Sequence, residues 1–491
     1  MTERFDNGYL KAPLNADLEF PADRILHHKI SLDPEFETVN TCNPAIGDID
    51  GDGLDEIAIP FNMGETDVLR LYRGDGTIVW ECRNEPGAEE AGANSALFEL
   101  RFNTEKSWPA ERRIRFYHSY YNDPLCPPQD LCHLWYRNNH RHLLTEICDV
   151  DGDGKKEVIC GDGPIYIIDG LTGSIKRVIE LGGMCPLWNC IYDPLRGKTV
   201  IAVTQYTFRG KENARVMLID GETGDILWEK QMPGGQFADC MHNGDLNGDG
   251  RPVFGFSISS PVEKFYVMDL DGNILWEKSV RNELGDDAHV DSFLIDRILP
   301  EDDPAEGKQL ALVCGPNVFG RDGKLIWKKI EDEDLYHSQH LMAGSFLPDV
   351  PGKQIYVCES FVRRSHLFDC RGNKLWTYDN YTCCSNGKAC ERLTTAGCIC
   401  DWYGDGVPYI FQTEMSFRKE LWPSIANLPP EKRLRFAHLL DGNGNAEEIF
   451  PITCCPMCAI PCHVTASAGE DIVIIGHHDS TIHIYSARKK K

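Results

Sequence analysis

The feature that most constrains this chain is a recurring phrase in which Gly, often as Asp-Gly, leads through a short turn into an apolar stretch and a Trp. It occurs as RGDGTIVWEC, IDGETGDILWEK, LDGNILWEK, GRDGKLIWKK and CRGNKLWTYD, with the tryptophans at Trp80, Trp228, Trp276, Trp327 and Trp376. The last three steps between these tryptophans are 48, 51 and 49 residues. A period near 50 residues, filled with short strands, is typical of a β-propeller.

Most units also open with a small or acidic stretch that leads into an apolar strand. Examples are GDIDGDGLDEIAI, CDVDGDGKKEVIC, GDLNGDGRPVFGF, GSFLPDVPGKQIYV and CDWYGDGVPYIF. One unit, IIDGLTGSIKRV, carries Lys176 roughly where the Trp is expected, and NCIYDPLRGKTVIAV opens a unit without the acidic loop. Inner runs such as KTVIAVTQY suit strands that are buried on both faces. The count is eight units, so the sequence predicts an all-β, eight-bladed propeller that spans 1–491 as a single domain.

The two ends and two insertions complete this prediction. The last unit, GEDIVIIGHHDSTIHIYSA, lacks an outer strand, and the N-terminal ADRILHHKISL is expected to supply it and close the ring. Insertions at about 84–141 and 413–437 break the period, and both are rich in Arg and aromatic residues. Insertions in a propeller project from one face, because the blades cannot absorb extra length.

Composition narrows the class of partner. A formal net charge of −26 disfavours binding to nucleic acid or to an anionic membrane surface. The N-terminus lacks a basic start followed by an apolar run, and no apolar stretch approaches a membrane span, so we expect a cytoplasmic protein. Most of the 21 cysteines are expected to be reduced, since many lie in apolar strands.

Two loops match the spacing of calcium ligands. Carboxylates at alternate positions converge on one point, a Gly permits the bend, and a later Glu closes the shell with oxygen atoms that suit a hard cation. The two sets are Asp48, Asp50, Asp52 and Glu56, and Asp149, Asp151, Asp153 and Glu157. Two related loops, at Asp245 and Asp401, have Val253 and Tyr409 in the closing position and are expected to bind weakly or not at all. The favoured interpretation is that calcium in these loops orders the entry to a blade.

The sequence resembles the propeller rhamnogalacturonan lyases of polysaccharide lyase family 11, and more distantly the ulvan and rhamnosyl-glucuronate lyases. The resemblance rests on GDIDGDGLDEIAIP, LYRGDGTIVWE, DVDGDGKKEVI, YHSQHLMAGSFLPDVPGKQIYVCES and DIVIIGHHDSTIHIYSA, in that order along the chain. It implies an eight-bladed propeller that binds calcium and cleaves a uronate backbone by β-elimination. The partner would be a uronate-containing oligosaccharide.

Such a reaction requires a base near C5, an acid for the departing oxygen and a positive group on the carboxylate. Histidines recur near the start of the predicted inner strands, and Arg binds a carboxylate through two hydrogen bonds. The predicted catalytic residues are His142, Tyr206, His242, His289 and His340. The predicted substrate-binding residues are His118, Tyr120, Arg209, Arg363, Arg364, Arg418 and His463.

Several alternatives remain. One is a glycoside hydrolase on the same propeller scaffold. Another is a noncatalytic, calcium-stapled propeller that binds carbohydrate or protein, since acidic repeats of this type also occur in integrin-like propellers. The Trp phrase also resembles the repeats of quinoprotein dehydrogenases, but their periplasmic cofactor does not suit a chain without an export signal. The stretch CCPMCAIPCH offers Cys454, Cys455, Cys458 and Cys462 with His463 as zinc ligands, although buried structural thiols are the simpler interpretation.

Overall fold

The computed structural model describes 3–4, 9–11, 19–33, 39–41, 44–63, 66–84, 145–161, 165–181, 184–207, 210–234, 237–259, 261–284, 290, 292–304, 309–312, 317–328, 338–359, 364–379, 393–416, 435–452, 456–476 and 481–488. These residues are almost entirely in strands and turns, with one π-helical turn at Val280–Leu284. They fall into two compact units, one formed by Ser31–Val290 and the other by Met1–Ile30 with Asp291–Lys491.

The strands are numbered in chain order. The first twenty are β1 (Glu3–Arg4), β2 (Tyr9–Lys11), β3 (Ile25–Ser31), β4 (Val39–Thr41), β5 (Ala45–Gly47), β6 (Glu56–Met63), β7 (Thr66–Tyr72), β8 (Ile78–Asn84), β9 (Thr145–Cys148), β10 (Glu157–Cys160), β11 (Ile165–Asp169), β12 (Ile175–Ile179), β13 (Met184–Asp193), β14 (Lys198–Thr207), β15 (Gly210–Asp220), β16 (Ile226–Gln231), β17 (Phe237–Gly244), β18 (Val253–Ile258), β19 (Lys264–Asp269) and β20 (Ile274–Ser279). The remaining strands are β21 (Phe293–Asp296), β22 (Gln309–Leu312), β23 (Asn317–Phe319), β24 (Leu325–Lys328), β25 (Ser338–Gly344), β26 (Gln354–Glu359), β27 (Arg364–Phe368), β28 (Lys374–Asp379), β29 (Leu393–Cys400), β30 (Tyr409–Ser416), β31 (Arg435–Leu440), β32 (Ala446–Ile452), β33 (Pro456–Cys462), β34 (Asp471–Gly476) and β35 (Thr481–Ala487).

The described strands form eight sheets, four in each unit. In the unit Ser31–Val290 they are sheet 1 (β4 to β8), sheet 2 (β9 to β12), sheet 3 (β13 to β16) and sheet 4 (β17 to β20). In the other unit they are sheet 5 (β21 to β24), sheet 6 (β25 to β28, extended by β1 and β2), sheet 7 (β29 to β32) and sheet 8 (β33 to β35 with β3). Strands that follow one another in the chain pair antiparallel in each sheet, as the repeat predicts, although β4 and β5 both pair with β6 and the N-terminal strands are added from a distance. The long insertions fall between β8 and β9 and between β30 and β31, mostly outside the described residues, and the single-domain assignment stays a prediction.

Burial follows strand position within each sheet. All six residues of β18 are buried, whereas the last strand of sheet 3, β16, is exposed or half-buried along its length. The first strands of neighbouring sheets contact one another: β5 with β9, β9 with β13 and β13 with β17 in one unit, and β21 with β25, β25 with β29 and β29 with β33 in the other. The expectation that runs such as KTVIAV are buried on both faces is confirmed by Val200–Val203, all of which are buried.

The repeated tryptophans attach sheets to their neighbours. In four of the five, the indole N–H donates to a backbone carbonyl in a turn of the following sheet: Trp80 to Gly170 (2.7 Å), Trp228 to Leu270 (3.0 Å), Trp327 to Cys370 (2.9 Å) and Trp376 to Gly442 (3.0 Å). The turn glycine Gly173 has a φ of +71°, and a Cβ there would lie 2.7 Å from the Trp80 ring. The recurring Gly therefore provides both the left-handed turn and room for the indole.

Sheet 2 keeps this contact without a tryptophan. Strand pairing aligns Ile175 with Ile168 and Arg177 with Ile167, in the same way that Trp80 follows Ile78 in sheet 1. Arg177 therefore occupies the Trp position, and its Nη1 donates to the carbonyl of Gly221 in sheet 3 at 3.3 Å. The expectation that Lys176 replaces the Trp is wrong by one residue. The bulged residue is Val79 in sheet 1 and Lys176 in sheet 2, and the Trp position is the residue that follows it.

The N-terminal strand joins the last sheet, as the sequence predicts. β3 is the neighbour of β35 in sheet 8, the N–H of Arg488 donates to the carbonyl of Arg24 at 2.6 Å, and the His27 ring stacks on Tyr485 with 4.3 Å between centroids. A second N-terminal addition was not predicted: β2 pairs in parallel with β28 and extends sheet 6. Strands β1 and β2 are too short to show a period of two residues clearly.

Sheets 3 and 4 are joined by an ionic cluster where the acidic loop of the third unit is missing. The Arg251 guanidinium donates to Asp193 at 3.2 Å and to Asp271 at 3.0 Å, while Arg196 bonds to both carboxylates. The hydrogen bond from Arg251 lowers the pKa of Asp271 to about 2. Burial alone would raise the pKa of Asp193, but its bonds to Arg251 and Arg196 hold it below the ordinary value.

We expect Arg251→Gln to lower the free energy of unfolding by about 3 kcal/mol at pH 7, because it leaves the fully buried Asp193 with a weaker counter-ion. The folded-state pKa values are lowered, so the contribution is complete above about pH 4 and is lost as the pH falls towards 2. Urea unfolding at pH 7, 4 and 2.5 measures the difference. Lys264→Gln, which removes an exposed pair with Glu277, is the control and should change stability by less than about 1 kcal/mol. A deficit that stays constant across this pH range would contradict the assignment.

Among the described residues, no helix is both long enough and apolar enough to span a membrane.

Candidate metal loops and active-site residues

The first acidic loop, between β5 and β6, brings three of its four predicted ligands together. Ligand oxygens of Asp48, Asp50 and Glu56 all lie within 4.8 Å of one another. Both oxygens of Asp48 accept backbone N–H groups, from Gly51 at 2.7 Å and Gly53 at 3.1 Å. Asp52 lies outside this group, and its carboxylate accepts a hydrogen bond from the N–H of Leu54. Backbone hydrogen bonds therefore direct the carboxylates of this loop towards one point.

Glu56 is the buried member of this group, with 2% of its surface exposed. Its Oε2 accepts the N–H of Ile49 at 2.8 Å, which leaves Oε1 on the side of the loop. Burial raises the pKa of Glu56, and the neighbouring aspartates raise it further. The guanidinium of Arg73 lies beside the loop, 2.7 Å from Asp50 and 4.0 Å from Glu56, but it is half exposed to solvent. An exposed side chain can move aside, so these residues fit an oxygen-bound divalent cation.

The second acidic loop, between β9 and β10, has the same backbone arrangement. Asp149 accepts the N–H groups of Gly152 at 2.7 Å and Gly154 at 3.0 Å, and Glu157 accepts the N–H of Val150 at 3.0 Å. Ligand oxygens of Asp149, Asp151 and Glu157 lie within 4.8 Å of one another, and Asp153 is again outside the group. The two loops are close copies in backbone and in carboxylates.

The second loop differs because it contains its own cation. The ammonium of Lys176 lies 2.5 Å from Asp151, 2.8 Å from Glu157 and 3.4 Å from Asp153. Burial alone would lower the pKa of Lys176, but its bonds to Asp151 and Glu157 raise it, so the side chain is charged. Glu157 is 1% exposed and has this ammonium as a direct partner. The residues of the second loop therefore do not fit a divalent cation as well as those of the first.

The loops at Asp245 and Asp401 are held by hydrogen bonds from their own backbone, and the expectation that they bind a cation weakly or not at all stays a prediction. Each carboxylate accepts N–H groups from its own loop, at Gly248 and Gly250 in one and at Asp405 and Gly406 in the other. Neither aspartate belongs to a group of three ligands among the described residues. Hydrogen bonds from the backbone keep the bend in the absence of a closing Glu.

Three of the predicted histidines lie in the described residues. His242 is half-buried in β17, the first strand of sheet 4, and His340 lies in β25, the first strand of sheet 6. His340 is 2% exposed, and its Nε2 lies 3.1 Å from the carbonyl of Gly397. His463 is exposed and follows the end of β33, the first strand of sheet 8.

These histidines do not share one level of their strands. His242 pairs with Gly255, two pairs before the last pair next to the loop. His340 lies four pairs before the last pair of its strand, and His463 lies beyond the last pair of its strand. These three histidines therefore do not lie at equivalent positions, and their predicted roles stay predictions. The bulges in β17 and β25 lie before His242 and His340, so they do not change the spacing between each histidine and the loop that follows.

Of the remaining predicted residues, Arg364 and the backbone of Tyr206 lie within the described part of the chain. Arg364 is half-buried at the first position of β27, and the backbone of Tyr206 pairs with Met184 in sheet 3. The others lie outside the described residues: His118, Tyr120, His142, Arg209, His289, Arg363 and Arg418. The roles predicted for all of these residues stay predictions.

The predicted zinc stretch is only partly described. Cys454 and Cys455 lie outside the described residues, while Cys458 and Cys462 are buried in β33. Burial raises the pKa of Cys458 to about 12, and the Cys462 thiol lies 3.6 Å from the carbonyl of Asp471. Among the described residues, these two thiols belong to no group of three metal ligands.

Solved structures resemble this chain over nearly its whole length. They include the exotype rhamnogalacturonan lyase YesX (15% identity, TM-score 0.57, 94% of this chain and 76% of that one) and the rhamnogalacturonan lyase YesW (15%, 0.51, 94% and 75%). A third is the Bacillus licheniformis rhamnogalacturonan lyase PL11 (15%, 0.51, 92% and 72%). The chain has a β-propeller fold. At this identity the likeness shows the fold alone.

No protein-family model and no curated protein matches the sequence.

Within the propeller, sequence reasoning missed two features of the first strands and their loops. The first is the cation at each acidic loop, from Arg73 and Lys176. The second is a group formed by Glu146 and Cys148 on β9 with Cys190 on β13, whose ligand atoms lie within 4.8 Å of one another. The stretch TEIC carries a signal for it, because Glu146 and Cys148 are two residues apart and share one face of a strand.

Proposed function

We propose that this protein is a polysaccharide lyase that cleaves uronate-containing, rhamnogalacturonan-type glycans by β-elimination. The observation that carries the proposal is the likeness of fold to three rhamnogalacturonan lyases over at least 92% of this chain. The order of the sequence motifs agrees with it. In this proposal the eight sheets are the eight blades of one propeller, and β3 closes the ring.

Calcium is the proposed cofactor, held by Asp48, Asp50 and Glu56 of the first loop. An oxygen-only set with a buried carboxylate suits this cation, and binding would order the turn between β5 and β6. The role is structural. The chemistry falls to side chains of the chain: an Arg to bind the uronate carboxylate, a His or Tyr to remove the C5 proton, and a proton donor for the departing oxygen.

The test is incubation of the protein with rhamnogalacturonan, ulvan and rhamnosyl-glucuronate oligosaccharides, with ultraviolet absorbance followed for the unsaturated product. We expect turnover of the first, and we expect His242→Ala to reduce kcat by about 100-fold or more if this half-buried imidazole is the base. His28→Ala is the matched control, since His28 is exposed on β3.

The other outcomes decide between the alternatives. Sugar release without the ultraviolet signal assigns a glycoside hydrolase. Saturable binding of oligosaccharide without any turnover assigns a noncatalytic binding propeller, and the burial of His340 on a backbone carbonyl is the observation that favours this second candidate.

A further inference from the structure

A cluster that the proposed lyase chemistry does not use lies on the first strands of sheets 2 and 3. It contains the Glu146 carboxylate and the thiols of Cys148 and Cys190, with one ligand atom from each within 4.8 Å of the others. The Cys190 thiol interacts with both the Cys148 thiol and the Glu146 carboxylate. All three residues are partly buried, and both cysteines are free thiols.

The Glu146 carboxylate is held in place by its neighbours. Its Oε1 accepts a hydrogen bond from the Asn189 side chain at 3.0 Å, and its Oε2 accepts the backbone N–H of Cys190 at 3.0 Å. Two neutral donors fix its direction but leave its charge uncompensated. Among the described residues, no Lys or Arg pairs with it, in contrast to Glu56 and Glu157 in the acidic loops. Burial accordingly raises the pKa of Glu146, and the two hydrogen bonds offset this only in part.

A second, independent observation comes from the amide of Asn189. Asn189 is 8% exposed, and its side-chain nitrogen is committed to Glu146. Its side-chain oxygen is buried and has no hydrogen-bond partner among the described residues. A buried acceptor without a donor is costly, and a metal ion or a metal-bound water would satisfy it.

We propose that Glu146, Cys148 and Cys190 form a binding site for a thiophilic divalent cation of the zinc class. Two sulfur ligands and one carboxylate oxygen suit zinc rather than calcium. Tetrahedral zinc with bonds of about 2.0–2.3 Å places its ligands about 3.3–3.8 Å apart, which falls within the 4.8 Å limit that the three ligand atoms share. The fourth position falls to water or to the Asn189 oxygen. On binding, each thiol releases its proton to solvent, so two thiolates and the carboxylate together bring three negative charges to the two positive charges of the cation. The site would connect the first strands of two neighbouring sheets.

The test uses the full chain, reduced and stripped of metal, with Co²⁺ as a spectroscopic probe and Zn²⁺ for affinity. We expect Co²⁺ to give a thiolate-to-cobalt absorption band. In Cys148→Ser and in Cys190→Ser, this absorbance should correspond to one bound Co²⁺ fewer per chain. Zn²⁺ affinity at this site should fall at least about 100-fold in these variants and about 10-fold in Glu146→Gln. Cys82→Ser is the matched control, since Cys82 is a buried thiol of the same unit that donates to the Gly173 carbonyl.

If the cysteine variants do not fold, the proposal can still be tested on the protein with its natural sequence. Zn²⁺ should protect Cys148 and Cys190 from alkylation, as mapped by peptide mass spectrometry, while leaving the alkylation of Cys82 unchanged under the same conditions. Equal cobalt spectra in the control and both cysteine variants, or no protection of either thiol by Zn²⁺, would overturn the proposal. A Cys148–Cys190 disulfide in the isolated protein, with no Zn²⁺ protection after reduction, would assign a redox pair instead and would also overturn it.

Discussion

Lys176→Val should lower the free energy of unfolding by about 3 kcal/mol in the presence of a chelator, and added Ca²⁺ should restore it. The loss arises because Glu157, 1% exposed, and Asp151 would keep their charges without a counter-ion. Val79 occupies the position of sheet 1 that is equivalent in register to Lys176 in sheet 2. The backbone at this position therefore accommodates a valine. Once the ammonium is removed, the three carboxylates match those of the first loop and become available to Ca²⁺.

The reciprocal change gives the matched experiment. Val79→Lys places an ammonium beside the first loop and should abolish its Ca²⁺ binding, since the aspartates and Glu56 would then have an internal cation. Leu227→Lys is the control, because Leu227 is 39% exposed at the equivalent position of sheet 3, which lacks an acidic loop. Calorimetric titration should give one Ca²⁺ per chain for the natural sequence, two for Lys176→Val and none for Val79→Lys.

Thermal unfolding with and without Ca²⁺ provides a second readout. At a free concentration 100 times the dissociation constant, one bound ion adds about 2.7 kcal/mol. Two sites in the natural sequence, each lost separately on Asp48→Ala and Asp149→Ala, would contradict this account.

The two acidic loops show which part of a metal site the sequence predicts and which part it does not. Both match the calcium spacing equally well, and the structure does bring Asp48 with Glu56 and Asp149 with Glu157 into matching groups. The residue that separates them, Lys176, comes from a strand 19 residues beyond Glu157, and a one-residue bulge decides whether it faces the loop or the next sheet. Local spacing predicts ligands, but it does not predict which side chain arrives from a neighbouring strand.

The repeat itself was predictable for a physical reason. A four-stranded antiparallel sheet with a Gly turn and a Trp at its outer strand is a local unit, so its signals recur within about 50 residues. The pairing of β3 with β35 was also predictable, because the last unit lacked one strand and the N-terminus offered one with the right apolar pattern. The positions of His242, His340 and His463 within their strands were not, since each depends on where the pairing of its own sheet begins and ends.

Trp376→Ala should be the most damaging single change in the repeat, with a loss of about 3–5 kcal/mol in the free energy of unfolding. Trp376 is 4% exposed, its ring packs near Tyr356, and its N–H donates to Gly442 of the next sheet at 3.0 Å. Truncation removes the indole and leaves a cavity between sheets 6 and 7. Trp376→Phe keeps most of the packing and leaves the carbonyl without its donor, so it should cost about 1–3 kcal/mol.

The size of the loss should follow the burial of the indole. Trp80→Ala, at 8% exposure, should approach the effect at Trp376, and Trp228→Ala should cost less because its indole is half-buried. Leu195→Ala is the control, since Leu195 is 75% exposed and should change stability by no more than about 0.5 kcal/mol. Urea midpoints measure the series. If all three tryptophans gave the same small loss as Leu195, the indole-to-carbonyl contacts would not hold the sheets together, and the repeated phrase would owe its recurrence to the turn geometry alone.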